Sequence, residues 1–368
     1  MNSLVLSDEQ RAAAADPVIR RLIELIPRAN IVDASGTPRF VGSAEATVDS
    51  DRWTVDLQQR VGQSDRVHAF YGRQRVATRE PTWMGNTIPG FGRVLNTGPA
   101  MLTIAETHVF GSRLVNEARF GRGSLKGNAF ARAQLNPAAF GILNGVDRPI
   151  GLPQIAVAGG LNFGGPAPLP LGRHDTSHTF ADALSYVSGR HSMKLGAEFR
   201  HFVGESVVEG TGSLNFPSLV AFLAGTANPF NITVGERRSH IAQRAASLFV
   251  QDRIAVRSNL SVDLGLRYEW HVTPTERDDR FVVFDPDTAS LVRVGIDVDD
   301  EIYRQNNLNF EPRLGGAWSL SPDGRSVMRA AYAWAVDEPT INVVRDTTDN
   351  SPYAIPLAAV GSISLDSA

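Results

Sequence analysis

Residues 246–270 read ASLFVQDRIAVRSNLSVDLGLRYEW, and this stretch decides how the chain folds. From Leu260 to Trp270 one set of alternate positions is Leu260, Val262, Leu264, Leu266, Tyr268 and Trp270. The other set is Ser261, Asp263, Gly265, Arg267 and Glu269. A period of two with this contrast is a strand between two unlike environments. One face is wholly apolar and ends in a Tyr/Trp pair, while the other carries full charges. That suits a wall between lipid and a polar lumen better than half of a soluble sandwich. The preceding run, Ala246–Ala255, supplies the partner strand, with Val256-Arg257-Ser258-Asn259 as the turn.

Four more hairpins follow the same plan. Residues 51–61 pair with 66–76 across Gly62-Gln63-Ser64-Asp65, and 100–110 with 114–123 across Gly111-Ser112-Arg113. Residues 177–187 pair with 192–203 across Ser188-Gly189-Arg190-His191. Residues 310–320 pair with 325–337 across Ser321-Pro322-Asp323-Gly324. Asp-Gly is a strong turn signal. Between hairpins run long connections, 77–99, 124–176, 204–245 and 273–309, which are uncommon in compact soluble domains. A small hairpin is expected in the last of them, around Asp285-Pro286-Asp287. Short turns on one rim and long loops on the other are the plan of an outer-membrane barrel. Strands near ten residues match a tilted crossing of the hydrocarbon.

The expected fold is therefore all-β: an antiparallel up-and-down transmembrane β-barrel segment, about ten strands in five hairpins, part of a larger barrel. Residues 1–50 form an N-terminal helix and loop leading into it, with a single helix over 7–26 opened by a Ser7/Gln10 capping box. Residues 51–337 are the partial barrel, and 338–368 begin a further loop. The tail Ser362–Ala368 lacks a terminal aromatic.

Composition narrows the function. The 368 residues include no cysteine, which excludes disulfide and thiolate-metal frameworks. A net charge of −3 gives no reason to expect nucleic acid as a partner. No run is long and apolar enough for a transmembrane helix, which leaves barrel strands untouched. The first residues show no signal peptide, and taken alone would read as cytoplasmic.

No catalytic constellation or cofactor motif emerges, so the chain is not expected to be an enzyme or to need a cofactor. The histidines, His108, His191 and His201 among them, lack metal-site spacing and read as lumen or rim residues. Asp297, Asp299, Asp300 and Glu301 cluster in a long loop, where carboxylates can bind calcium. They lack the glycine and full ligand set of a known calcium loop and read as solvated. Lys194, Glu198, Arg200, Asp263, Arg267, Glu269, Glu311 and Arg313 fall on the polar positions and are expected to face a lumen.

Several stretches resemble the Oar-like TonB-dependent receptors of the outer membrane. LFVQD (248–252) with NLSVDLGLRYE (259–269) is the strongest. NLNFEPRLGGAW (307–318) with SVMRAAY (326–332) is next, supported by HSMKLGAEFR (191–200) and by ETHVF (106–110) with LVNEARFG (114–121). The resemblance implies a barrel of about 22 strands with a plugged lumen, driven by the TonB complex. It implies uptake of a scarce or large ligand, with outer-membrane lipid, a plug and further strands as partners. Against that plan this chain reads as a mid-barrel fragment without plug or signal peptide, not functional alone. The rival reading is a soluble or surface-exposed β-rich binding module. It requires a protein core opposite Leu260, Val262, Leu264, Leu266 and Tyr268.

Overall fold

The computed structural model describes residues 1–299, 301–321 and 323–361, with the backbone of 363 and 364. Its main sheet has ten long strands: β1 (Thr47–Val61), β2 (Asp65–Arg79), β3 (Arg93–Val109), β4 (Leu114–Ala131) and β5 (Leu171–Ser188). They continue with β6 (His191–Val208), β7 (Arg238–Arg257), β8 (Leu260–His271), β9 (Phe310–Ser319) and β10 (Val327–Ala333). Their order in space is their order in the chain, every pairing is antiparallel, and Thr275–Glu276 adds a short piece beside β7. This is the expected transmembrane barrel segment of five hairpins. Among the described residues β1 and β10 are edges, so the sheet does not close on itself.

The strands are longer than the spacing of turn signals suggested. Seven of them run 15 to 20 residues rather than about ten. The extra length comes from the long connections, which shrink to 80–92, 132–170, 209–237 and 272–309. Some 9–11 tilted residues cross the hydrocarbon, so the surplus stands above it on the long-loop side. The last strand is shorter than expected. After Ala333 the chain leaves the ladder, and the Val336 N–H donates to Glu311 Oε1 at 3.0 Å.

Register shows the tilt. The row through Val55 on β1 passes Tyr71, Leu102, Arg122, His178 and His201 and reaches Arg244 on β7. Val55 is the middle of β1's apolar run Trp53, Val55, Leu57. The middle of β8's run, Leu266, faces Val250 on β7, six positions closer to the short-turn rim than Arg244 (250 − 244 = 6). Six strand steps separate β1 from β7, so the apolar band slips about one residue per strand. With about 3.3 Å per residue and about 4.8 Å between strands, the strands tilt about 35° from the band's normal. That lies in the range of membrane barrels.

No protein layer covers the apolar face among the described residues. Leu57 is 62%, Phe180 52%, Leu248 61% and Leu314 54% exposed. A sandwich would bury these side chains.

The N-terminal segment differs from the single helix expected. It forms α1 (Asp8–Ala12), with the Ser7/Gln10 capping box in place, and α2 (Pro17–Ile23). Asp16 caps α2, accepting from the Val18 and Ile19 N–H groups at 2.7 and 3.0 Å. Pro17 is tolerated at a first helical position but not in a helix interior. The apolar periodicity ran through this break and concealed it.

On the long-loop side six segments gather: 1–46, 80–92, 132–170, 209–237, 272–309 and 334–361. The first four share one core, which includes Leu6, Ile19, Leu22, Ile88, Ile155, Phe163, Phe216 and Phe222, all at most 2% exposed. A five-stranded sheet runs through this assembly, in the order Ala354–Ala359, Phe230–Gly235, Ser213–Phe216, Gln154–Val157, Leu161–Phe163. The last two segments share a smaller core with the wall: Ile241, Phe281, Val294 and Val344. The expected small hairpin is there, Val282–Asp285 with Ser290–Arg293. The segment after 338, read from sequence as open loop, instead carries α3 (Ile341–Asp346) and the outer strand of the five-stranded sheet.

Candidate functional site

The ladder brings the charged residues singled out from sequence onto one face. In antiparallel pairs, directly opposed residues share a face. Glu198 faces Ser247, which faces Glu269. Lys194 faces Gln251, which faces Gly265, which faces Arg313. Phe249 faces Arg267, which faces Glu311. Arg200 and Asp263 fall on the same parity, opposite Ala245 and Arg253. Phe249 lies over Gly196, where an added Cβ would stand 2.7 Å from the ring and 2.5 Å from the Asp182 carbonyl oxygen. The missing side chain is what lets the ring lie flat on the sheet.

These charges pair with one another. Glu269 is the hub, with Arg267 Nε at 2.5 Å, His271 Nε2 at 2.8 Å and Arg200 Nη2 at 3.3 Å. Arg200 also reaches Glu198 at 3.3 Å. Arg253 holds Asp263 at 2.6 Å, and Arg313 lies 3.5 Å from Glu311. Glu269 and Glu311 are buried. Buried carboxylates need several partners to offset their lost hydration.

Sequence reasoning missed what lies across this face. The chain after β10 folds back over it. Glu338 Oε2 sits 2.9 Å from His271 Nδ1 and accepts from Gln243 Nε2 at 3.0 Å. Arg345 of α3 reaches Asp175 at 3.3 Å, and Arg173 donates to Asn342 at 3.2 Å. Burial pushes the Arg345 guanidinium below its ordinary value, with Arg173 adding to the effect. Burial and the nearby Glu338 raise the Tyr303 hydroxyl. Between this strap and the wall lies a cavity of about 370 Å³, lined by Thr179, Arg200, Gln243, Glu338 and Thr340 among others. No local sequence pattern signals a return of this kind, because it depends on contacts some 170 residues apart.

The loop carboxylates are differently placed. Asp297 accepts two bonds from the Arg293 guanidinium, at 2.9 Å each, and one from the Arg293 N–H. These hold it down at about 2. Asp299 and Glu301 flank Asp300, which lies outside the described residues. In the N-terminal segment Arg39 and Ser35 hold Asp33 well below the usual carboxylate range. Among the described residues, the side chains that could share a metal ion are instead Asp65, Glu106 and His108, whose ligand atoms all lie within 4.8 Å of one another. They sit at the short-turn rim, where Asp65 and His108 pair at 2.5 Å. His191 likewise pairs with Asp252 at 2.5 Å on that rim.

The family model of an outer membrane beta barrel domain matches residues 7–365. Among solved structures, the outer membrane transporter YddB from Escherichia coli superimposes with a TM-score of 0.52 at 14% identity, over 83% of this chain and 34% of that one. The ferripyoverdine receptor of the outer membrane of Pseudomonas aeruginosa aligns with a TM-score of 0.48 at 11% identity, over 78% of this chain and 35% of that one. The chain thus spans about a third of the length of each of these two proteins. Among curated proteins, no sequence matches it.

Proposed function

The chain belongs to the outer membrane β-barrel domain family, and from that premise we propose that it forms wall and outer loops of an Oar-like TonB-dependent receptor. In this reading the polar face, with Lys194, Glu198, Arg200, Asp263, Arg267, Glu269, Glu311 and Arg313, lines the lumen. The loop-side assembly meets the ligand first. The remaining strands, a plug and the TonB complex complete the receptor, and this stretch acts by shape and charge rather than by catalysis. The ligand is one too large or too scarce for passive diffusion.

One observation carries the reading: three of the four long connections share one apolar core above a charged wall, all on one rim. Loops that only joined strands would have no need of buried residues such as Phe163 and Phe222. An ordered rim presents a preformed surface, which lowers the entropy cost of capture. Glu338 and Arg345 hold their own segment against the wall, and in this reading a plug or ligand in the lumen meets that strap.

Site-specific photo-crosslinking in the outer membrane tests this. A crosslinker at Arg267 should capture a polypeptide within the lumen, and one at Leu264, three residues away on the opposite face, should capture lipid. Lipid at both positions would sink the receptor reading and leave only a membrane wall.

A further inference from the structure

At the short-turn rim, Asp65, Glu106 and His108 bring two carboxylates and an imidazole together, with their ligand atoms all within 4.8 Å of one another. Backbone pairing places them. Asp65 opens β2 directly opposite His108 on β3, and Glu106 precedes His108 by two residues, which puts all three on one face. The Val109 N–H donates to the Ser64 carbonyl at 2.9 Å, so the turn that carries Asp65 is tied to the end of β3. The Phe110 ring packs against the His108 ring, centroids 4.2 Å apart, and limits its rotation.

That face is the outward one. Leu102, Ile104 and Glu106 follow one another at alternate positions of β3, and Glu106 lines an apolar groove with Ile104, Ala118 and Phe120. A carboxylate on a wall that meets hydrocarbon is costly unless it is neutralised. Among the described residues no cationic side chain pairs with Glu106, and Asp65 has the His108 imidazole as its one such partner, at 2.5 Å. Two carboxylates therefore share at most a single positive charge, where a divalent cation would balance both. The pairs His191–Asp252 and His68–Asp56, at 2.5 and 3.0 Å, gather no third ligand among the described residues.

We propose that Asp65, Glu106 and His108 form a binding site for a divalent transition metal of the zinc class. One imidazole nitrogen with two carboxylate oxygens is a donor set that zinc accepts, whereas magnesium and calcium favour oxygen alone. Metal–ligand bonds of about 2.0–2.2 Å set tetrahedral ligand atoms about 3.4 Å apart. Asp65 and His108 then part by about 1 Å and Glu106 swings in, which half-buried side chains achieve by rotating. The metal joins β2 to β3, strands of adjacent hairpins, and three protein ligands leave a fourth position open for water. Its two charges cancel those of both carboxylates, so the wall turns neutral where it looks outward. The site needs only the wall, and stands apart from which ligand the loops take.

The test titrates the tag-free chain, folded in a neutral detergent, with zinc chloride and in parallel with magnesium chloride. Calorimetry gives affinity and stoichiometry, and X-ray absorption at the zinc edge gives the ligand shell. Expected are a single zinc per chain and a shell that includes one imidazole nitrogen. Glu106→Gln and Asp65→Asn should each bind at least about tenfold more weakly, since even an outer partner of a ligand is worth that much. His191→Ala, which breaks a pair without a third ligand, should bind zinc as the parent does. Heat-modifiable gel mobility reports whether each variant is folded. Should Asp65→Asn fail to fold, Glu106→Gln or His108→Gln decides, and the first keeps the size of its side chain while removing a charge from the outward face. No stoichiometric zinc, an all-oxygen shell, equally tight magnesium, or unchanged affinity in Glu106→Gln would overturn the proposal.

Discussion

Replacing Phe222 with alanine should loosen the loop-side assembly and leave the wall intact. The ring is fully buried and meets Phe216 and Phe163 edge-on, at 5.2 and 6.1 Å. Truncating a buried phenylalanine costs about 3–5 kcal/mol. The edge-on pairs, worth about 0.5–1.5 kcal/mol each, are part of that loss. Taking about 4 kcal/mol, and about 1.4 kcal/mol per factor of ten, the open population of the assembly rises about a thousandfold. The wall is held by its own ladder and shares no side chain with this cluster. Limited proteolysis reads the open form, so cleavage within 80–92, 132–170 and 209–237 should accelerate by orders of magnitude. The temperature at which the chain loses its heat-modifiable gel mobility should not move. An unchanged cleavage rate, or an equal fall in both, would refute the idea that rim and wall are separate cooperative units.

Other expectations are simpler. Glu269→Ala leaves Arg200, Arg267 and His271 short of a buried partner and should destabilise the wall by about 2–3 kcal/mol, less than a fully buried pair because Arg200 is 42% exposed. Urea unfolding from detergent would show it, and a change under 0.5 kcal/mol would contradict the hub role. Leu264→Arg should cost about 2–4 kcal/mol in a bilayer, and little in a loose detergent micelle, if that face meets hydrocarbon. The Arg293–Asp297 contact has a sign fixed by its depressed carboxyl. Its contribution is complete above the unfolded value of about 3.9, declines as pH falls, and is gone below about 2. Carboxyl chemical shifts of Asp297 across that window would show the midpoint, and one near 3.9 would contradict the paired geometry.

The wall was legible because its chemistry repeats every two residues. Leu260 to Trp270 gave faces, direction and turn in one reading, and the eight charged residues share one face of the sheet. Strand ends were not legible. Above the apolar band the alternation fades, as at Arg238–Arg244, while the ladder continues on backbone bonds alone. The break at Asp16-Pro17 was visible as a capping aspartate before proline, and was overridden by apolar spacing that fits either one helix or two. The strap from Val336 to Asp349 left no trace, since Glu338 and Arg345 find partners only once the fold has brought them near. The cluster of Asp65, Glu106 and His108 was hidden for the same reason: two residues lie near one turn, and the third comes from the neighbouring hairpin.

The neighbour-only pairing of the strands bears on how the molecule is made. Each wall contact closes a hairpin or a connection of at most some forty residues, whereas the rim core joins Val5 to Phe230. For a free chain, closure entropy grows as 1.5 RT times the logarithm of length, so that span is the harder one to close. Once the hairpins stand side by side, both ends of every connection are already held at the same edge. The wall then works as a jig that brings distant segments within reach of each other. The rim should order last during folding, and its appearance reports that the strands beneath it have found their register.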